Sequence, residues 1–135
     1  MNLFIDTSGF LAVLNQNDRF HAPAKGTWLD ILADDSVLFS SNYVLLETTA
    51  LLQHRFGVDA LRLFHNTIRP ILRIIWINQD IHDLAMSVLL SLNRCQLSLV
   101  DCTSFQIMRT ASLEHVFTFD EHFSEQGFTV APKLD

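Results

Sequence analysis

Four acidic residues stand where a folded chain could bring them together to bind a metal ion. They are Asp6, Glu47, Asp101 and Asp120. Asp6 and Asp120 each follow a short apolar run, whereas Glu47 and Asp101 lie in the early turns of predicted helices. The four positions are spread over most of the chain, so no local stretch could gather them. Only the fold could place their carboxylates at one site.

A cluster of carboxylates has a direct chemical consequence. Each negative charge raises the pKa of its neighbours, so four carboxylates cannot all stay ionised in an empty cleft. A cation would relieve this repulsion, and oxygen ligands suit Mg²⁺ or Mn²⁺ better than Zn²⁺. One or two such ions can activate water for phosphodiester hydrolysis.

The four acids also have a purely structural interpretation. Asp6 and Asp120 could be helix N-caps, and Asp101 could interact with a helix dipole. Glu47 would then be an ordinary solvated acid. Spacing alone leaves both interpretations open.

The elements that must position these acids alternate along the chain. Apolar runs predict strands at 2–5, 37–39, 72–77, 115–119 and 128–130. Helical spacing, caps and stop signals predict helices at 7–14, 21–33, 42–56, 57–68, 81–92 and 100–113, with a helical turn at 121–125. This alternation favours an α/β fold with a parallel sheet and right-handed crossovers. In such sheets, sites form beyond the carboxyl ends of strands, where the strand order reverses.

Length and composition limit the class of protein. With 135 residues, of which 49% are hydrophobic and 18% charged, the chain is expected to form one domain, 1–135, with a sizeable core. No apolar run reaches the roughly 18 to 20 residues of a membrane span, and the first residues do not resemble a secretory signal. We therefore expect a cytoplasmic protein with no membrane partner. Cys95 and Cys102 match neither a disulfide framework nor a metal motif.

The charge balance constrains the substrate. Nine Lys and Arg residues against 15 Asp and Glu residues give a net charge of −6, opposite to the basic surplus of most nucleic-acid-binding proteins. A phosphate-bearing substrate would therefore need bound cations, a local arginine patch or a basic partner.

Four segments together resemble the PIN-domain ribonucleases, and most closely the VapC-type toxins of bacterial and archaeal toxin–antitoxin pairs. They are Leu3-Phe4-Ile5-Asp6-Thr7-Ser8, Leu46-Glu47, Leu99-Val100-Asp101-Cys102-Thr103-Ser104 and Thr118-Phe119-Asp120-Glu121-His122-Phe123. These segments occur in the family's order and span nearly the whole chain. The resemblance implies a PIN-like three-layer α/β/α sandwich with a mostly parallel, five-stranded central sheet.

The resemblance also implies a site and a reaction. The family's catalytic and metal-binding acids fall on Asp6, Glu47, Asp101 and Asp120, with Mg²⁺ or Mn²⁺ as cofactor and RNA as substrate. The family's hydroxyl positions fall on Ser8 (or Thr7) and Thr118, which could equally be capping or turn residues. The implied reaction is in-line attack of a metal-activated water on phosphorus, which leaves a 5′-phosphate and a 3′-hydroxyl.

Other classes of function fit the sequence less well. The six histidines, at positions 21, 54, 65, 82, 115 and 122, show no paired spacing that would favour a metal-free acid/base ribonuclease, although His122 could lie near the site. A receiver-type phosphoacceptor would need a lysine at a late strand end, and a haloacid-dehalogenase-type phosphatase would need an aspartate where Ser8 stands. The remaining alternative is a catalytically silent PIN-like module that binds proteins.

Two surfaces suggest partners. Arg55, Arg62, Arg69 and Arg73 could form a basic strip, in which Arg62 and Arg69 are candidate RNA contacts. The predicted helices at 42–56 and 57–68 also carry more apolar residues than a small core needs, although completion of the core could account for them. The family resemblance implies a homodimer and an antitoxin that covers this apolar groove and directs an arginine toward the acids.

Overall fold

The computed structural model describes residues 1–134, which form a parallel sheet connected by helices. In chain order the elements are β1 (Asn2–Ile5), α1 (Thr7–Leu14), α2 (His21–Ala33), β2 (Val37–Ser41), α3 (Asn42–Phe56), α4 (Val58–Leu63), β3 (Leu72–Ile75), α5 (Gln79–Leu92), α6 (Leu99–Thr110), β4 (His115–Phe117), α7 (His122–Glu125) and β5 (Thr129–Ala131). A π-helical turn at Phe64–Ile68 and a 3₁₀ turn at Arg69–Ile71 join α4 to β3.

The five strands are all parallel and lie in the order β3-β2-β1-β4-β5. The chain builds outward from β1 through β2 to β3, then crosses to the other side of β1 to add β4 and β5. The strand order therefore reverses between β1 and β4. In open parallel sheets, this is where a crevice forms beyond the carboxyl ends of the strands.

The sheet is covered on both faces. Leu3, Phe4 and Ile5 are consecutive in β1 and each has no exposed surface. Because successive side chains of a strand point to opposite faces, burial of all three requires a layer on each side. The resulting α/β/α arrangement confirms the predicted fold class, and the sheet is entirely rather than mostly parallel.

Helix α1 packs closely on the sheet because of a glycine. A Cβ atom at Gly9 would lie 2.3 Å from the ring of Phe117 and 2.7 Å from its carbonyl oxygen. Only glycine allows the start of α1 to approach β4 this closely. This contact positions the first turn of α1, which carries Ser8, against the end of β4.

The predicted element boundaries differ from the observed ones mainly where local signals are weak. The predicted helix 57–68 is instead α4 followed by the π-helical turn, and Pro70 lies in the 3₁₀ turn after them. Strand β4 ends at Phe117, two residues earlier than predicted, because Phe119 donates its backbone N–H to a side chain instead of to the ladder. Strand β3 ends at Ile75, so that Trp76 lies outside it and is 67% exposed.

Candidate active site

The carboxyl ends of β1 and β4 meet at one point of the sheet edge. Asp6 directly follows β1, and its backbone N–H donates to the carbonyl of Phe117, the last residue of β4, at 3.1 Å. Thr118 follows β4 and donates its own N–H to the carbonyl of Ala131 at 3.1 Å. Both residues therefore lie where the strand order reverses.

Two hydroxyl groups hold the Asp6 carboxylate in place. Ser8 Oγ and Thr118 Oγ1 donate to Asp6 Oδ2 at 3.1 and 3.0 Å and lie 3.0 Å from each other. Each hydroxyl also accepts a backbone N–H, from Phe119 at 2.9 Å and from Asp120 at 3.0 Å respectively. The predicted hydroxyl positions Ser8 and Thr118 thus join the first acid to the last.

Asp101 enters the site from the first turn of α6. Its N–H donates to Ser98 Oγ at 3.1 Å, and its Oδ2 accepts the N–H of Ser98 at 3.0 Å, which is a reciprocal capping box. The side chain is 9% exposed. The capping box at the start of α6 was not predicted, and it fixes the orientation of a carboxylate that also belongs to the acid cluster.

Asp120 is oriented by the start of α7. Its Oδ1 accepts the backbone N–H of His122 at 2.9 Å, and the ring atom Nδ1 of His122 lies 3.8 Å from the same oxygen. His122 Nδ1 is buried without a hydrogen-bond partner among residues 1–134. His122 begins α7, and its ring lies beside Asp120 of the site.

The three aspartates form one electrostatic unit. Burial, and after it the charge of Asp101, raise the pKa of Asp6 from 3.8 to about 7, with a smaller contribution from Asp120. Burial also raises the pKa of Asp101, and the charge of Asp120 adds to this effect against the hydrogen bonds from Ser98. Mutual perturbation of this kind arises only when carboxylates are close to each other.

Glu47 is placed differently from the three aspartates. It lies in the second turn of α3, half-buried, and is not among the charges that act on Asp6 or Asp101. Its neighbour Thr48 is fully buried and donates its hydroxyl to Thr7 Oγ1 at 3.2 Å. Helix α3 therefore contacts the start of α1 directly beside Asp6, and the Thr7 hydroxyl accepts a hydrogen bond in that contact.

Within the described residues, the four predicted acids of the site have no Lys or Arg paired with them. In the same part of the chain, no three His, Cys, Asp or Glu side chains are grouped closely enough to enclose a metal ion. The aspartates therefore interact electrostatically, but their side chains do not surround a single metal position.

Arg62 and Arg69 lie elsewhere. Both line a cavity of about 480 Å³ with Leu45, Leu61 and Phe64, and none of the four acids lines it. Arg62 pairs with Asp59 at 3.2 Å on the exposed surface of α4. Only some of the apolar residues in α3, α4 and the π-helical turn are buried. Val44, Leu52 and Phe64 complete the core, whereas Leu46 and Leu63 are 70% and 55% exposed.

One residue of the site, Ser98, is not predicted from the sequence. The serine three positions before Asp101 matches a capping-box pattern, which would have predicted the hydrogen bonds that orient the aspartate. Cys102, the neighbour of Asp101, is buried, and burial raises the pKa of its thiol, whereas Cys95 is exposed.

Three comparisons with known proteins agree on the family. Residues 3–128 match the model of the PIN domain. The 23S rRNA-specific endonuclease VapC20 of Mycobacterium tuberculosis is 33% identical over 130 residues, which cover 93% of this chain and 95% of the relative. The crystal structure of M. tuberculosis VapC20, described as a sarcin-ricin loop cleaving toxin, matches with a TM-score of 0.83 and 31% identity over 94% of this chain and 96% of that one.

Two more distant structures share the fold. FitAcB from Neisseria gonorrhoeae matches with a TM-score of 0.67 at 18% identity, covering 95% of both chains. VapBC2 from Rickettsia felis, bound to a promoter DNA fragment, matches with a TM-score of 0.63 at 12% identity over 96% of this chain and 97% of that chain. Among the described residues, no helix has the length and apolar character of a membrane span. The chain belongs to the PIN-domain family of nucleases, as a homologue of the VapC-type ribonuclease toxins.

Proposed function

We propose that this protein, as one PIN domain over residues 1–135, is a metal-dependent endoribonuclease in which Asp6, Glu47, Asp101 and Asp120 hold Mg²⁺ or Mn²⁺. One observation carries the proposal: Asp6, Asp101 and Asp120 repel one another at the strand-order reversal and have no Lys or Arg side chain paired with them among residues 1–134. Burial is the main cause of the raised pKa of Asp6, and a bound cation would offset the repulsion from Asp101 and Asp120 that adds to it.

The donor set fits such an ion. Mg²⁺ in proteins commonly takes only one or two carboxylates and keeps several waters or substrate phosphates. A site of this type does not require three side chains packed around one point. Carboxylates are also hard oxygen donors, which favours Mg²⁺ or Mn²⁺ over metals that prefer nitrogen or sulfur. When bound, the ion supplies the charge that activates water and stabilises the departing oxygen of a phosphodiester.

The chain's own residues hold the carboxylates in place. Ser8 and Thr118 fix the rotamer of Asp6, and the N–H groups of Phe119 and Asp120 fix both hydroxyls. Ser98 does the same for Asp101. Such positioning supports in-line attack on phosphorus, because a site held by its own hydrogen bonds needs little reorganisation during the reaction.

The similarity to VapC20 supports a proposal about the substrate and partners. Because VapC20 is named as a 23S rRNA-specific endonuclease and shares 33% of its residues with this chain, we place ribosomal RNA first among the RNA classes to test. We further propose that the protein is a cytoplasmic toxin that forms a homodimer and binds a cognate antitoxin. Exposed apolar residues of α3 and α4, such as Leu46 and Leu63, are available for these contacts, and RNA contact by Arg62 and Arg69 stays a prediction.

A catalytically silent PIN-like protein-binding module is the competing function. All four family acids are present in the sequence, and a silent module would have no need to keep Asp6 buried among like charges. This difference in chemistry favours the enzyme.

Cleavage assays separate the two functions. Purified protein is incubated with ribosomal RNA under three conditions: with Mn²⁺ or Mg²⁺, with EDTA, and with EDTA followed by excess Mn²⁺. The variant Asp101→Asn and the surface control Asp30→Asn are assayed in the same way. We expect cleavage by the parent and the control, loss of cleavage in EDTA and in Asp101→Asn, and products with 5′-phosphate and 3′-hydroxyl ends. Cleavage that persists in EDTA, or 2′,3′-cyclic phosphate ends, would reject the proposed chemistry.

A further inference from the structure

A stack of three side chains lies beside the acids and is not explained by the chemistry above. Phe20, at the end of the loop between α1 and α2, packs parallel to Phe119, with ring centroids 4.7 Å apart and planes 8° apart. The guanidinium carbon of Arg19 lies 4.4 Å from the centroid of the Phe20 ring. Because Phe119 covers one face of Phe20, Arg19 must cover the other. We call Arg19, Phe20 and Phe119 the aromatic stack.

We propose that the aromatic stack is a subsite for one unpaired nucleotide of the RNA substrate. In the complex the base takes the place of the Arg19 guanidinium against Phe20, and Arg19 turns to a phosphate of the same strand. This inference rests on the proposed function, because it assigns the strand that is cleaved at Asp6, Asp101 and Asp120.

The position of the stack supports this role. Phe119 lies between Thr118 and Asp120, and its N–H donates to Ser8 Oγ, which holds its backbone one residue from a site acid. Both phenylalanine rings are half-buried, whereas Arg19 is exposed. No hydrogen bond or ion pair restrains the Arg19 side chain within residues 1–134, so it is free to exchange its place for a base. An exposed Arg on an aromatic face is the kind of surface on which bases stack.

The cavities around the stack have the size and position for a strand. One cavity of about 610 Å³ contains Thr118 and Asp120, and another of about 370 Å³ contains Ser8. Both are lined by Arg19, Phe20 and Phe119. Their volumes lie in the roughly 300 to 1,000 Å³ range of ligand sites. The stack therefore separates two cavities, each of which includes one of the hydroxyls bonded to Asp6.

The distribution of charge also supports a nucleotide subsite at the aromatic stack. The chain has only nine Lys and Arg residues and a net charge of −6, yet Arg19 and Lys133 both line the larger cavity, where Asp120 and Glu121 would otherwise repel a phosphate. Phosphate contacts by such side chains supply affinity that falls with salt. Two of the few cations are thus placed where a substrate strand must pass the acids.

The geometry selects an unpaired nucleotide. A base inside a duplex already stacks on both faces, whereas an unpaired base in a loop or bulge offers a free face to an aromatic ring. Stacking on phenylalanine does not depend on base identity, because every base has a π-face. The aromatic stack should therefore favour loops over helices and leave sequence preference to other contacts.

Binding of a fluorescent RNA tests the subsite without requiring cleavage. The probe is a 12-nucleotide single-stranded RNA with 2-aminopurine at one position, moved along the strand in a series, with Asp101→Asn as the parent protein so that the RNA stays intact. At one position we expect 2-aminopurine fluorescence to be quenched on binding. Phe20→Leu should abolish this quenching and weaken binding about tenfold, which corresponds to about 1.4 kcal/mol.

Matched substitutions separate stacking from general effects. Arg109 lies over Phe128 at 5.2 Å on a cavity that none of the four acids lines, so Arg109→Ala and Phe128→Leu serve as controls and should bind like the parent. Arg19→Ala should lower the slope of log K against log salt by about one, as loss of one phosphate contact requires. Circular dichroism and thermal unfolding show whether each variant is folded.

An altered RNA keeps the test decisive if Phe20→Leu does not fold. An abasic residue at the quenched position should weaken binding to the parent by the same tenfold, whereas folded Phe20→Leu should be indifferent to it. Absence of a quenched position, or unchanged affinity in folded Phe20→Leu, would overturn the subsite. If the protein cleaves RNA with metal but Phe20→Leu has no effect, the subsite is rejected and the proposed function is kept. If the base stacks on Phe20 but no cleavage occurs, only the proposed function is rejected.

Discussion

Replacement of Asp6 by asparagine should stabilise the metal-free protein at high pH while it abolishes catalysis. Burial and the charge of Asp101 raise the pKa of Asp6 from 3.8 to about 7. A raised carboxyl pKa means that the folded state binds its proton more tightly than the unfolded state does. The contribution of Asp6 to the free energy of unfolding is therefore fully present below about pH 4 and is lost as the pH rises through 7. Three pKa units correspond to roughly 4 kcal/mol, a large part of the 5 to 15 kcal/mol typical of a domain.

The asparagine variant removes the ionisation but keeps an oxygen that can accept from Ser8 and Thr118. Urea unfolding in EDTA, at pH 4 to 8, gives the free energy of unfolding of the parent, Asp6→Asn and the exposed control Asp30→Asn. We expect the parent and the control to lose roughly 4 kcal/mol more than Asp6→Asn over this range. Addition of Mg²⁺ at pH 8 should raise the stability of the parent and leave Asp6→Asn unchanged. Equal pH dependence of the parent and Asp6→Asn would refute the reasoning about this site.

Three other perturbations test separate parts of the account. Thr118→Val removes the donor to Asp6 and the acceptor for the Asp120 N–H. Steady-state cleavage should therefore fall at least tenfold, with the fold retained. Activity equal to that of the parent would contradict this positioning role. Gly9→Ala places a methyl group 2.7 Å from the carbonyl oxygen of Phe117, and thermal unfolding should show a loss of about 2 kcal/mol or more; a melting temperature equal to the parent's would show that α1 can move away. Ser98→Ala breaks the capping box and should cost about 1 kcal/mol and weaken Mn²⁺ binding, whereas Mn²⁺ affinity equal to the parent's would show that Asp101 needs no orientation by Ser98.

The sequence predicts the fold well because its strands are short, apolar and separated by clear caps. Strand β1 was predicted at its observed bounds, since Leu3 to Ile5 form a continuous apolar run stopped by Asp6. Strand order could not be obtained this way, because pairing depends on contacts between distant segments. The π-helical turn at 64–68 was also beyond prediction, since its residues fit ordinary helical spacing.

The candidate site was predictable to a similar extent. Position after a strand predicts Asp6 and Asp120, and early helical position predicts Asp101 and Glu47. The three aspartates act on one another, whereas Glu47 is not among the charges that act on Asp6 or Asp101. What the sequence could not provide is the geometry, namely that Ser8 and Thr118 donate to the same oxygen of Asp6. The sequence does not predict the aromatic stack, because Phe20 and Phe119 are far apart in the chain and neither follows a recognised motif. Such pairings become visible only when the fold brings loops together.

Direct titration of Mn²⁺ into the protein tests the central claim, that the converging carboxylates bind a divalent cation. Calorimetry at pH 8 should show saturable binding to the parent, at least a hundredfold weaker binding to Asp101→Asn, and parent-like binding to Asp30→Asn. Equal Mn²⁺ affinity in the parent and Asp101→Asn would show that the carboxylates at the ends of β1 and β4 do not form the metal site.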